Sequence, residues 1–253
     1  MSLERIYKTE AVVLRRVPFS ESDYLLTLYT PQHGKVKALA KGARKPTSRQ
    51  TGHVELYSRT HLVLYRGREL HTITQAEVQD TYRIVQENLE RSVYASHFVE
   101  LMDQFAFENE ENQPAYLLLV EALGWLCEPT VDLKLAARYY ELRLLRVMGF
   151  EPSLFDCAIG SEPLEAQNQY FSPVEGGVVC PEHGEGRDLL RLSLPVLKIL
   201  RHMSRYKWNV VKILNVNERN HVELERILHT YIIFLLEKRL QSVNFLKKLY
   251  QDT

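Results

Sequence analysis

The chain has 253 residues, 45% of them hydrophobic and 25% charged, with 32 Lys and Arg exactly balanced by 32 Asp and Glu. That composition suits a folded protein with one large core or two modest ones and argues against a disordered or low-complexity chain. No apolar stretch approaches bilayer length, the start Met-Ser-Leu-Glu-Arg-Ile-Tyr-Lys lacks a signal-like core, and three cysteines make no disulfide framework. A cytoplasmic protein with no membrane partner is therefore expected.

Residues 9–16, 24–30, 35–40, 54–57, 60–65 and 70–78 read as short β segments separated by turn residues, with 24–30 and 35–40 forming a hairpin across Pro31-Gln-His-Gly34. Five or six such segments predict an N-terminal five-stranded barrel of the oligonucleotide-binding (OB) type over residues 1–80. An SH3-like or other small barrel is the alternative that strand counting leaves open.

From residue 30 to residue 68 stand nine basic residues and one acid, densest in Gly34-Lys-Val-Lys-Ala-Leu-Ala-Lys-Gly-Ala-Arg-Lys-Pro-Thr-Ser-Arg49. Zero net charge conceals an uneven distribution. Residues 1–80 hold 13 Lys and Arg against 8 Asp and Glu, residues 81–190 hold 7 against 19, and residues 191–253 hold 12 against 5. In the basic run, charged and apolar residues alternate, so a strand would bury Val36 and Ala38 and project Lys35 and Lys37, with Lys41 near them. Grouped ammonium ions repel one another, and a phosphate backbone that sheds counterions on binding relieves that cost. A merely solvated face is the plain alternative. Tyr24, Tyr29, Tyr57 and Tyr65 lie on the predicted segments as candidate stacking platforms, although strand tyrosines more often pack in a core. Ser20-Glu-Ser-Asp23 reads as a turn with side-chain caps.

Beyond residue 82 the period becomes helical. Leu89, Val93, Phe98, Leu101, Met102 and Phe105 fall on one face, as do Tyr116, Leu119, Val120, Leu123 and Leu126, then Leu133, Ala137, Tyr140, Leu144 and Val147. A long last helix over 217–249 turns Val222, Leu224, Ile227, Leu228, Tyr231, Leu235, Leu236 and Leu240 inward. The predicted fold class is thus α+β, a barrel followed by an α-helical domain over 81–253. That domain is interrupted by a small zinc-ribbon-like insert at about 151–188, which holds four of ten prolines and five of eleven glycines. There Cys157, Cys180 and His183 stand at three of the four positions of paired knuckles, with Gly160 in place of the second ligand. Three ligands would leave a metal to borrow a carboxylate such as Asp156 or a water. A remnant ribbon held by its own packing, with no cofactor required, is favoured over structural zinc.

Several of these segments resemble the RecO family of recombination mediators: Glu10-Ala-Val-Val-Leu, Ser20-Glu-Ser-Asp23 before Tyr24-Leu-Leu-Thr-Leu-Tyr-Thr30, the run from Gly34 to Lys45, the interrupted insert and the closing Gln241-Ser-Val-Asn-Phe-Leu. The resemblance implies a nucleoid-associated DNA repair protein that binds single- and double-stranded DNA and anneals complementary strands. With RecR, it would load RecA onto DNA coated by single-stranded-DNA-binding protein (SSB). It also implies that Lys35, Lys37, Lys41, Arg44, Lys45 and Arg49 contact phosphates. A groove for the acidic C-terminal tail of SSB is implied too, with Arg138, Arg143, Arg146, Arg201 and Arg205 available to rim it. The sequence contains no nucleophile elbow, P-loop or zinc-protease motif, so no enzyme is expected. A protein-interaction scaffold that does not touch DNA is the competing reading.

Overall fold

Alternating apolar residues wrap five strands around one core at the start of the chain: β1 (Ile6–Pro18), β2 (Tyr24–Thr30), β3 (Gly34–Ala40), β4 (Arg59–Tyr65) and β5 (His71–Asp80). The computed structural model describes residues 5–45, 48, 51–68 and 70–251, and the side chains of all of these but 51 and 238–251. It divides into two compact units, Met1–Leu133 and Lys134–Thr253.

In the first unit the strands pair in the ring β1-β2-β3-β5-β4. All neighbours are antiparallel except β3 and β5, which meet in parallel at only two pairs, Ala38 with His71 and Leu39 with Thr72. That order and the thin parallel seam agree with a partly open five-stranded Greek-key barrel of the OB type. Val13, Leu26, Leu28, Val36, Ala38, Leu62, Leu64 and Ile73 fill its interior.

The predicted strand at 54–57 is corrected. The segment is a bend and turn in which Tyr57 adopts φ 69°, a left-handed conformation that no strand sustains. Its apolar residues are buried for another reason: Val54 plugs the barrel core, while Tyr57 and Ser58 hydrogen-bond to the backbone of Val13.

Among the described residues a single 3-10 turn, Thr51–His53, and three α-helices complete this unit: α1 (Arg83–Glu87), α2 (Leu89–Phe105) and α3 (Gln113–Trp125). Asn88 caps α2 by accepting from Arg91 N–H, and Asn112 caps α3 by accepting from Ala115 N–H. Phe98, Leu101, Met102 and Phe105 are buried as expected, but Leu89 and Val93 are not, Leu89 being 83% exposed. They occupy the first turns of α2, where periodicity continues after the packed face has ended.

The second unit holds α4 (Leu133–Val147), a three-stranded sheet ordered β7-β6-β8 (Gly177–Val179, Gln169–Ser172, Leu190–Leu192), and α5 (Pro181–Gly184), α6 (Leu194–Arg205), α7 (Trp208–Val211) and α8 (Glu218–Gln251). Leu224, Ile227, Leu228 and Tyr231 are buried on α8. Val222 is exposed, and the Leu240 side chain lies outside the described residues. Among the described residues, no helix is long and apolar enough to cross a membrane.

Candidate nucleic-acid interface

The β2–β3 hairpin presents the basic run. Thr30 Oγ1 donates to Gly34 O and accepts from His33 N–H, closing the turn. Gly34 has φ +55°, and a Cβ there would stand 2.0 Å from Glu110 O, so the close approach of residues 107–110 requires glycine. Along β3, Val36, Ala38 and Ala40 point into the core and Lys35 and Lys37 point out, as the alternation predicts.

The two lysines do not end alike. Lys35 Nζ donates to Asp103 O at 2.6 Å and pairs with its carboxylate at 3.1 Å, leaving the side chain only 16% exposed. Lys37 reaches Glu108 at 2.6 Å with both side chains half-exposed. The acidic strap also bonds through its backbone, with Lys35 N–H donating to Phe107 O and Asn109 N–H to Lys35 O. An exposed pair like Lys37–Glu108 is worth about 0.2–1 kcal/mol, which a phosphate contact can replace. Lys35 would forfeit a charge-assisted bond and an ion pair at a largely buried site, so it is the poorer phosphate ligand.

Past β3 the chain turns at Gly42 (φ +68°) and carries Lys41, Arg44 and Lys45 exposed to solvent. The Ser20-Glu-Ser-Asp23 loop, which enters β2 at the same end of the hairpin, holds this turn. Gly42 N–H donates to Asp23 Oδ1 at 2.7 Å, Arg44 N–H to Ser22 O at 2.9 Å and Arg44 Nη1 to Ser20 O at 2.7 Å. The Gly42 N–H, with help from the Ser22 and Ser20 hydroxyls and the Lys41 charge, outweighs burial and holds the Asp23 carboxyl below its ordinary range. The loop is thus a turn, as read from sequence, and also the clamp of the basic turn 19 residues away.

Arg16 lies over the Tyr24 ring at 4.7 Å and Arg44 at 6.0 Å, so Tyr24 supports guanidinium groups. Tyr29 is buried, with burial pushing its hydroxyl up to about 12, and Tyr57 is buried with its hydroxyl on Ser96. Of the four tyrosines Tyr65 alone is well exposed. The aromatic that sequence reasoning missed is Phe19, 48% exposed, lining a cleft of about 490 Å³ with Leu25, Lys37, Arg68 and Glu108. Its signal was an aromatic stranded between Pro18 and a polar turn. Arg49 lies outside the described residues.

In the second unit Cys157, Cys180 and His183 do converge, and a fourth donor joins them. It is Glu162, not Asp156, which is exposed and outside the group. Ligand atoms of Cys157, Glu162, Cys180 and His183 lie within 4.8 Å of one another. Cys180 Sγ donates to Glu162 Oε1 at 3.0 Å, and His183 Nδ1 lies 3.1 Å from Cys180 Sγ and 3.2 Å from that carboxylate. The Cys180 hydrogen bond chiefly holds the Glu162 carboxyl at about 2; burial and the same carboxylate push the Cys180 thiol up to about 11. Burial would raise Cys157, but N–H groups of Cys180, Gly160 and Ile159 overcome it and lower its thiol. Gly160 is what admits Glu162, since a Cβ there would meet Glu162 Oε2 at 2.0 Å. Two thiols, a carboxylate and an imidazole at this separation fit a tetrahedral zinc ion.

The five arginines also separate. Arg138 is buried and paired with Glu141 at 2.9 Å. Arg143 donates to Ser204 O. Arg201 and Arg205 lie over the Phe155 ring at 5.3 and 4.3 Å, beside a cleft of about 530 Å³ that Arg146, Leu154, Phe155 and Arg205 line.

Two family models match the chain, one described as "Recombination protein O N terminal" over residues 1–82 and one as "Recombination protein O C terminal" over residues 86–243. Curated relatives named "DNA repair protein RecO" align nearly end to end. The Roseiflexus sp. (strain RS-1) protein is 36% identical over 98% of this chain and 87% of its own length. The Symbiobacterium thermophilum protein is 35% identical over 96% and 98%, and the Moorella thermoacetica protein 34% over 98% and 92%.

Proposed function

The chain belongs to the recombination protein O family, and we propose that it is a DNA-binding mediator of repair and homologous recombination rather than an enzyme. In this reading it binds single- and double-stranded DNA through the barrel and anneals complementary strands. With RecR, it promotes RecA loading on SSB-coated single strands. The observation that carries the DNA-binding reading is the basic turn Lys41–Lys45, clamped by Asp23, Ser22 and Ser20 and free of ion pairs at Lys41 and Lys45 among the described residues.

Lys37 adds a fourth cation once Glu108 yields, and Phe19 offers a stacking face beside it, a contact worth about 1–3 kcal/mol per base. Phosphate contacts carry no base information, so single and double strands of any sequence should bind. Fluorescence anisotropy of labelled single-stranded and duplex oligonucleotides across a salt series tests this. Four contacts give a slope of log K against log salt of about −2.8 on single strands, from about −0.7 each. No binding at low salt would leave the protein-interaction scaffold as the better reading.

For the SSB tail, an acidic peptide ending in an apolar residue and a free carboxylate, the Phe155 cleft is the best match. Leu154 and Phe155 supply apolar wall there, and Arg146 and Arg205 supply cations beside Glu151 and Asp156, with Arg201 stacked on the Phe155 ring.

We read the four donors of the insert as a structural zinc site, because Glu162 completes a set that the sequence left one short. Zinc would cross-link the loop at 157–162 to the β7–α5 junction and take no part in chemistry. Metal analysis of protein purified without chelator should find about one zinc per chain, and metal-free protein with an intact insert would favour a remnant held by hydrogen bonds.

A further inference from the structure

The insert brings two thiols together as well as four metal donors. Because Glu162 supplies the donor that a second knuckle cysteine would give, Cys157 and Cys180 are the only sulfurs of the group, and their Sγ atoms lie within 4.8 Å of each other. A set of four thiols can pair in several ways, whereas this one has a single pairing.

The two sulfurs come from segments that are already fastened side by side. Cys157 precedes the turn at 158–160, which Ser161 N–H closes by donating to Cys157 O at 2.8 Å, and Cys180 stands at the junction of β7 and α5. Ala158 N–H donates to Val178 O at 2.8 Å, and Cys180 N–H reaches Cys157 Sγ at 3.5 Å. A disulfide needs about 2.05 Å between its sulfurs, and adjacent backbones leave the rest of the gap to side-chain rotation. Access differs between the two. Cys157 is 2% exposed, whereas Cys180 is part-exposed beside Glu162 and His183, whose side chains are 42% and 35% exposed.

We propose that Cys157 and Cys180 form an oxidisable pair, which exchanges the zinc fastening of the insert for a disulfide on meeting a hydroperoxide. Cys180, the accessible sulfur, attacks one peroxide oxygen: an S–O bond forms, the O–O bond breaks and hydroxide leaves, giving a sulfenic acid. Cys157 then attacks that sulfur, so that the S–S bond forms, the S–O bond breaks and a second hydroxide leaves. The sulfurs give up two electrons to the peroxide, and the two hydroxides take up two protons and become water. Glu162 and His183 then remain as donors, too few to retain a tetrahedral ion. The disulfide ties the same two segments that zinc would, so the insert is fastened in either state. Metal release rests on the zinc reading above; the pairing of the thiols does not.

The test is a hydrogen peroxide titration of the full chain purified without chelator. Released zinc is read with a chromophoric chelator, and thiols by alkylation and peptide mass spectrometry before and after reduction. The expected result is loss of two of the three thiols, a peptide joining Cys157 to Cys180, an intact Cys127 in the other unit, and reversal by a thiol reductant. About one zinc should leave per peroxide consumed. Cys157→Ser should stop at a sulfenic acid on Cys180 that dimedone traps, while Cys180→Ser should leave the buried Cys157 unmodified at the same dose. Dimedone on Cys157 in the second variant would refute the order of attack. The peptide map of the unaltered chain decides the pairing even if both variants unfold. Intact thiols and retained zinc under excess peroxide would overturn the proposal and leave the structural zinc standing, as would over-oxidised sulfurs with no joined peptide. A chain without zinc that still forms the Cys157–Cys180 peptide would uphold the thiol pair and refute the zinc reading.

Discussion

β3 and the turn that follows it are consecutive in sequence and both basic, yet they dispose of their charge in opposite ways. On β3, Lys35 is drawn onto Asp103 and Lys37 onto Glu108, while Lys41 and Lys45 stand clear on a turn whose backbone is clamped by Asp23 and Ser22 and whose Arg44 side chain bonds Ser20 O. A strand's outer face is available to whatever packs beside it, here the acidic strap after α2. A turn held mainly through its backbone keeps most of its side chains for a ligand: Lys41 and Lys45 make no ion pair among the described residues, and Arg44 alone spends an N–H on the clamp. Charge density along a chain is therefore a poor measure of positive surface until the acids that fold back on it are known.

The strongest way to break this contrast is to neutralise the turn. Lys41→Ala/Arg44→Ala/Lys45→Ala should lower DNA affinity by about 100-fold near physiological salt and flatten the single-strand salt slope by about 2, from about −0.7 per contact. An unchanged slope in anisotropy titrations would move the interface elsewhere.

Asp23→Asn probes the clamp. It keeps the shape but weakens the acceptor for Gly42 N–H, and should reduce DNA affinity severalfold with no change in salt slope, because no phosphate contact is removed. Asp23 has a depressed folded pKa, so its contribution is complete above the ordinary aspartate value of about 3.9 and is lost only as pH falls through the lower folded value. DNA binding should therefore show no Asp23-dependent change between pH 5 and 8. A wild-type-minus-variant difference that grows across that window would contradict the assigned clamp.

The smallest effects separate the two β3 lysines. Glu108→Gln should free Lys37 and raise DNA affinity by up to about fivefold, the upper end of a surface ion pair worth about 0.2–1 kcal/mol. Lys35→Met should leave DNA affinity within about twofold and cost about 1 kcal/mol of stability in chemical denaturation, since Asp103 loses its partner. Reversal of these two outcomes would mean that the strap is held mainly by Lys37.

Much of this was legible in the residues. Alternation in the β2–β3 hairpin and helical spacing beyond residue 82 report directly on burial, so Val36, Ala38, Phe98 and Leu228 are found in cores. Burial without regular structure misled the reading at 54–57, where Val54 is a plug instead of a strand residue. What could not be read was tertiary: which acid reaches Lys35 from 68 residues away, and that Glu162 completes the thiol cluster. Glu162 had a faint local signal, a carboxylate two residues past a glycine that stands where a ligand was expected. Spacing rules for knuckles look for soft ligands and pass over it.

The thin parallel seam between β3 and β5 also has a kinetic side. Two residue pairs close the ring there, against seven between β1 and β4. Opening that seam breaks few hydrogen bonds, so its amides should exchange with solvent through a local excursion at lower free energy than those of β1 and β4, which require the barrel itself to come apart. Residues 107–109 bond to β3 beside the seam, which makes the acidic strap a latch on the barrel's most readily parted edge as well as a cover for its lysines.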